Sequence, residues 1–219
     1  MKLILIFVSF IALFAFDNNP IKTTIITSSK TTATIEKNIP AGVTGYVINN
    51  DNMMIAKAIS LGNNSVKYLP LTKLKNEALA TPKVIPSTDD TIIFGLYNNR
   101  ALIIAPNQNT YLKTKSNNPN TTFVSSDIFA TYFTSKPDKE DFNRFCSDFN
   151  VGIIYFLLDK QYIVDCDSFV ILDTKNIKSQ KYTKALFVNY KKLNDSVFSS
   201  KPNNWINYYK SLLKVSNGK

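Results

Sequence analysis

Asp165, Cys166 and Asp167 stand side by side, with Asp159 and Asp173 close on either flank. On a strand, alternate residues share one face, so Asp165 and Asp167 point the same way. Two carboxylates on one face are hard oxygen ligands of the kind a divalent cation takes. A calcium loop needs further oxygens and a glycine turn, which this stretch does not have. These aspartates therefore read as solvated carboxylates at strand ends. Asp89-Asp90 reads as turn chemistry ahead of a strand. Ser125-Ser126-Asp127 sets hydroxyls beside an acid, but no base stands at a recognisable spacing. Helix capping explains that trio.

Histidine is absent and glycine occurs only 6 times. The first fact excludes serine and cysteine triads, zinc-hydrolase sites and imidazole proton shuttles. The second fits the absence of any glycine-rich phosphate loop. A Ser–Lys dyad stays open, because lysines are spread along the whole chain. No catalytic residue, cofactor or metal ligand is assigned, and the reading is a protein that is not an enzyme.

The elements that position these residues follow from apolar patterning. Hydrophobic residues make up 44% and charged residues 19% of 219, enough to bury a core. Residues 21–36 are rich in Thr and Ile, which favour strands, with a turn at Ser28–Lys30. Further strands are expected within Ala41–Asn49, where Gly42 and Gly45 punctuate the start, and at Met53–Ser60 and Val66–Leu69, with a turn at Leu61–Asn64. Asn98-Asn99 predicts a hairpin between Thr91–Tyr97 and Ala101–Ala105. Asn107–Lys115 reads as a short helix and Phe123–Ser125 as a short strand. A second helix is expected from a cap at Ser126 or Asp127 through Thr134. A third starts with Pro137 in its first turn, with Phe142, Phe145, Cys146 and Phe149 on one face. Val151–Leu158 reads as a buried strand, and two more strands follow Asp159-Lys160. Trp205, Tyr208, Tyr209 and Leu212 line one face of a last helix that docks on the body, with Ile206 and Leu213 widening it.

The fold class is thus α+β: an antiparallel β-rich front, a small barrel or sheet, then an α/β-type half with helices packed on a sheet. The expected divisions are 1–15, 16–106, 107–190 and 191–219. The first is a signal peptide, the second a β-rich subdomain, the third an α+β subdomain, the fourth a lysine-rich helix and tail.

Met1-Lys2 and the apolar run Leu3–Phe16, followed by a polar turn, make the secretory signal, cut after Ala15. Export to an oxidising compartment favours pairing the two cysteines, Cys146 and Cys166. Such a bridge contributes roughly 3 kcal/mol in the chain-entropy model. Charge is strongly asymmetric. Residues 16–173 carry 15 basic and 15 acidic residues, whereas residues 174–219 carry ten lysines and only Asp195, a sum of +9. This end steers acidic partners. Arginine, the better base reader, occurs only at Arg100 and Arg144, so nucleic acid is not the expected partner. A weak contact with an anionic membrane surface fits the lysines.

Several short motifs occur in a fixed order: IIAPN at Ile103–Asn107, FVSSDIF at Phe123–Phe129, Cys146, VGIIY at Val151–Tyr155 and CDSFVIL at Cys166–Leu172. GYVI at Gly45–Ile48 and NYYKSLLK at Asn207–Lys214 extend the series. Together they resemble the N-terminal domain of bacterial plasminogen-binding proteins. The resemblance implies a surface-exposed protein that captures host plasminogen at its kringle lysine sites. It implies a role for C-terminal lysine, here Lys219, aided by Lys214 and Lys210. Matching members carry a long Lys/Glu-rich tail after this domain, and this sequence stops soon after the shared helix. The other expectation is a periplasmic or envelope adaptor domain that does not bind plasminogen.

Overall fold

The computed structural model describes residues 18–69, 71, 84–133, 136–177 and 204–214, with Lys214 described by its backbone alone. The expected signal peptide, the Thr134 end of the second helix and Lys219 lie outside the described residues.

Six strands form the front: β1 (Ile21–Ser28), β2 (Thr32–Ile35), β3 (Thr44–Ile48), β4 (Met54–Gly62), β5 (Ser65–Leu69) and β6 (Thr91–Phe94). They close into a barrel in the order β1-β2-β5-β4-β3-β6, with β6 returning to β1. Closure removes the sheet edges. Alternation supplies the lining: Ile25, Ile35, Val47, Ala58, Val66 and Ile92 fill the interior. The β4–β5 turn works because Asn63 and Asn64 both adopt positive φ, at 49° and 58°. Asparagine tolerates that region better than other residues with a side chain.

The second half is a five-stranded mixed sheet. Its strands are β7 (Arg100–Ile104), β8 (Thr122–Val124), β9 (Ile153–Leu157), β10 (Lys160–Asp165) and β11 (Ile171–Asn176), in the order β11-β10-β9-β7-β8. β7 runs parallel to β8 and β9, and β9, β10 and β11 form an antiparallel meander. The molecule is α+β and β-rich.

The expected hairpin between Thr91–Tyr97 and Ala101–Ala105 does not form. β6 pairs with β1 and β3 in the barrel, whereas β7 pairs with β8 and β9. Two successive turns separate them, Asn98 N–H donating to Gly95 O and Arg100 N–H to Tyr97 O. Gly95 at φ +66° swings the chain out of the barrel. β7 is buried on both faces in the mixed sheet, whereas β6 alternates and turns Ile92 and Phe94 into the barrel, so each strand pairs with distant strands.

Among the described residues four helices complete the second half: α1 (Gln108–Asn117), α2 (Ser126–Ala130), α3 (Lys139–Phe149) and α4 (Trp205–Lys214). The cap of α2 is Ser125, one residue earlier than expected, because the Ser126 hydroxyl turns inward to the Ile103 carbonyl at 2.6 Å. Pro137 precedes α3 instead of lying in its first turn. Asp138 is the cap, and Asp141 returns a bond to it in a reciprocal capping box. Arg100 closes the other end of α3, donating to the Phe149 and Asn150 carbonyls.

The core of this half is aromatic. Phe129, Phe142, Phe145, Phe156, Trp205 and Tyr209 are all buried and in ring contact through one network. Each such side chain contributes about 2 kcal/mol by burial. α4 docks as expected, but on a rotated face. Trp205, Tyr209 and Leu213 are buried, whereas Tyr208 and Leu212 are half-buried. Four-residue spacing carries the buried set down one stripe. Tyr208 sits at its rim, where its hydroxyl donates to the Pro137 carbonyl at 2.9 Å.

Candidate functional site

The turn after β10 is where the acid cluster meets the barrel. Asp165 ends β10 with a side chain buried in the junction, 1% exposed. This corrects the expectation of solvated carboxylates. Its oxygens accept from the Thr44 amide (2.8 Å), the Thr44 hydroxyl (2.7 Å), the Ser168 amide (2.8 Å) and the Asp167 amide (3.1 Å). Burial pushes its carboxyl above the ordinary value, against the pull of the bonds from Ser168 and Thr44.

Asp167 lies beyond the end of β10, in the turn rather than on the strand as expected, and it too reaches the barrel. Its Oδ1 meets the Lys57 ammonium at 2.6 Å, and the Tyr46 hydroxyl lies 3.4 Å from Oδ2. Lys57 also sits over the Tyr46 ring, 5.6 Å from its centroid. Burial, with the Asp167 charge behind it, raises the Tyr46 phenol far above its usual range. Tyr97 packs edge-on against Tyr46 at 5.0 Å. A narrow cleft between barrel and sheet is lined by Thr44, Tyr46, Tyr97, Asn98, Asp165 and Asp167.

Ser168 completes the junction by donating to the Gly42 carbonyl at 2.6 Å. Cys166 lies between these contacts and is joined by a disulfide to Cys146 on α3, with α-carbons 6.1 Å apart. Backbone packing is equally close across the joint. Gly152 donates to the Tyr97 and Arg100 carbonyls, and a β-carbon there would lie 2.5 Å from the Tyr97 carbonyl.

The remaining candidates fall elsewhere. Asp159 is half-exposed on the β9–β10 turn, where it accepts from Tyr162 and pairs with Lys210 of α4 at 2.7 Å. Asp173 accepts from the Thr174 amide. Asp90 holds the Ser87 amide in a turn, and Asp89 takes positive φ beside it. Ser125 caps α2 through the Asp127 amide. Lys57 is bound by Asp167, not by a serine. Among the described residues no three acidic or thiol groups converge as a metal site would require. No helix among them is long and apolar enough to cross a membrane.

Of the three lysines singled out in the sequence, Lys210 has its ammonium on Asp159, and Lys214 is the last residue of α4. Sequence reasoning missed Thr44, Tyr46, Lys57 and Ser168. Their partners stand more than 100 positions away, and only the paired aspartates hinted at a polar joint.

A family described as the N-terminal part of plasminogen-binding protein PgbA matches residues 20–213. Two curated proteins, both named plasminogen-binding protein PgbA and from Helicobacter pylori strains J99 and 26695, are 27% identical to this chain over 179 residues. The aligned part is 77% of this chain and 40% and 39% of those proteins, so the chain spans about two fifths of their length. No solved structure matches. The family match runs from the strand that opens the barrel to the helix that closes the aromatic core, so it takes in the whole described architecture. This chain belongs to the PgbA N-terminal family of plasminogen-binding proteins.

Proposed function

We propose that this chain is an exported, surface-exposed bacterial domain that captures host plasminogen through lysine. The observation that carries the reading is the family match over residues 20–213, with relatives named for plasminogen binding. A kringle lysine site takes an ammonium and a carboxylate held apart by an apolar stem. Where the chain ends at Lys219, that residue displays both groups, and an internal lysine lacks the carboxylate. Lys214 and Lys210 on α4 add positive field near that end. Lys210 is the weaker contributor, because Asp159 already neutralises it. The +9 of residues 174–219 raises the association rate at low salt, and screening removes that gain.

The test is binding of the purified mature protein to immobilised plasminogen, with and without a lysine analogue, at two salt concentrations. Deleting Lys219 abolishes most analogue-sensitive binding, and Lys214→Ala weakens binding chiefly at low salt. Unchanged binding after the deletion overturns the lysine mechanism. No binding by the intact protein leaves the envelope-adaptor reading.

A further inference from the structure

The turn Asp165–Val170 is held from two sides. Toward the barrel it offers Asp165 to Thr44, Asp167 to Lys57 and Ser168 to the Gly42 carbonyl. Val170 presses on Gly42, where a β-carbon would lie 2.5 Å from its side chain. Toward α3 it is held by the covalent bond from Cys166 to Cys146. Asn143, also on α3, sets its side-chain amide against the Cys166 carbonyl. Between the two anchors Phe169 adopts φ 58°. That conformation is strained for a bulky residue and persists only where its surroundings impose it. Phe169 is buried against Phe142 and Phe156, so the strain is held by the same packing that carries the disulfide.

We propose that this turn is a thiol-sensitive clasp: the disulfide holds the turn in the shape that grips the barrel, and its reduction releases the grip. The reductant is a small dithiol. One thiolate attacks a cysteine sulfur, the S–S bond breaks, and its electron pair leaves on the other sulfur. The second thiol resolves the mixed disulfide. The protein gains two thiols, and the dithiol becomes a disulfide.

Cys146 and Cys166 are 2% and 0% exposed, so a reductant reaches them only when the turn lifts. The coupling is therefore reciprocal. The bond stabilises the grip, and the grip shields the bond.

The Thr44 amide reports the grip directly, because its hydrogen bond crosses from barrel to turn. Ile92 in β6 reports the barrel itself. Amide hydrogen exchange is measured on the full chain, oxidised and after dithiothreitol. The expected result is about a tenfold rise at Thr44 on reduction, within the usual range of coupling between sites, with Ile92 unchanged. An unchanged Thr44, or an equal rise at Ile92, overturns the clasp. The reverse arm measures the rate of disulfide reduction in oxidised Lys57→Met and in the milder Ser168→Ala. Both should be reduced faster than the parent, Lys57→Met by about tenfold. Parent-like rates in both variants overturn the coupling even if either is less stable overall.

Discussion

Thr44 gives both of its donors to Asp165, the amide at 2.8 Å and the hydroxyl at 2.7 Å, across 121 positions of sequence. One carboxylate therefore joins the edge of the barrel strand to the end of a strand in the mixed sheet. The bond is made inside the protein, where an unpaired partner is costly.

Asp165→Ala removes the acceptor for four donors and leaves the two from Thr44 buried. The expected loss is about 3 kcal/mol, read as a lower urea midpoint. Asp165→Asn keeps the shape but turns an N–H₂ toward donors. It should recover only part of the loss. Full recovery would mean that shape, not the acceptor, holds the joint.

Gly152→Ala pushes a β-carbon to 2.5 Å from the Tyr97 carbonyl. Backbone cannot move aside as a flexible side chain does, so the expected loss is about 2 kcal/mol or more. The same denaturation curve checks it. A neutral result would show that the Gly95–Asn99 turn shifts freely against β9.

The Asp159–Lys210 pair ties α4 to the β9–β10 turn. Burial raises the Asp159 carboxyl, but the bonds from Lys210 and Tyr162 outweigh it and leave the value below the ordinary one. A depressed carboxyl contributes stability above its unfolded value, about 3.9, and that stability is lost as pH falls through the folded value. Both groups are partly exposed, so Lys210→Met should cost under about 1 kcal/mol at neutral pH. The gap between parent and variant should close in acid, as followed by urea midpoints from neutral pH downward.

Tyr208 gives the alkaline counterpart. Burial, with Asp138 and Asp141 nearby, pushes its phenol up to about 12. A raised value contributes stability below the ordinary phenol value, about 10, and that stability is lost as pH rises through about 12. Phenolate absorbance should show a late step at about 12 that disappears in Tyr208→Phe, whereas Tyr46 is raised further still and keeps its proton through that step. The variant also loses the bond to the Pro137 carbonyl, about 1 kcal/mol.

Much of the fold was legible because local signals and tertiary packing agree. The Thr- and Ile-rich strands of Ile21–Glu36 and the face of Phe142, Phe145, Cys146 and Phe149 reappear in the structure, with Phe149 only partly buried. The same holds for the cysteine pairing. The turn expected at Leu61–Asn64 narrows to Asn63-Asn64, because Leu61 and Gly62 extend β4. Thr91–Ala105 failed because two apolar strands beside an asparagine turn look alike whether they pair together or part. Only distant partners decide, and no local pattern records them. Asp165 failed for the same reason: its four donors come from Thr44 and from its own turn. The lysine end was legible as charge alone, since helical spacing places Lys210 on α4 but not its ammonium on Asp159.

All six barrel strands lie between residues 21 and 94, whereas Cys146 and Cys166 come much later in the chain. A chain delivered N-terminus first presents a complete barrel sequence before the residues that grip it emerge. The mixed sheet cannot be completed until β9, β10 and β11 arrive, because β9 must pair beside β7. Oxidation of the cysteines thus follows delivery of the barrel strands. It fastens a barrel whose strands have already been delivered.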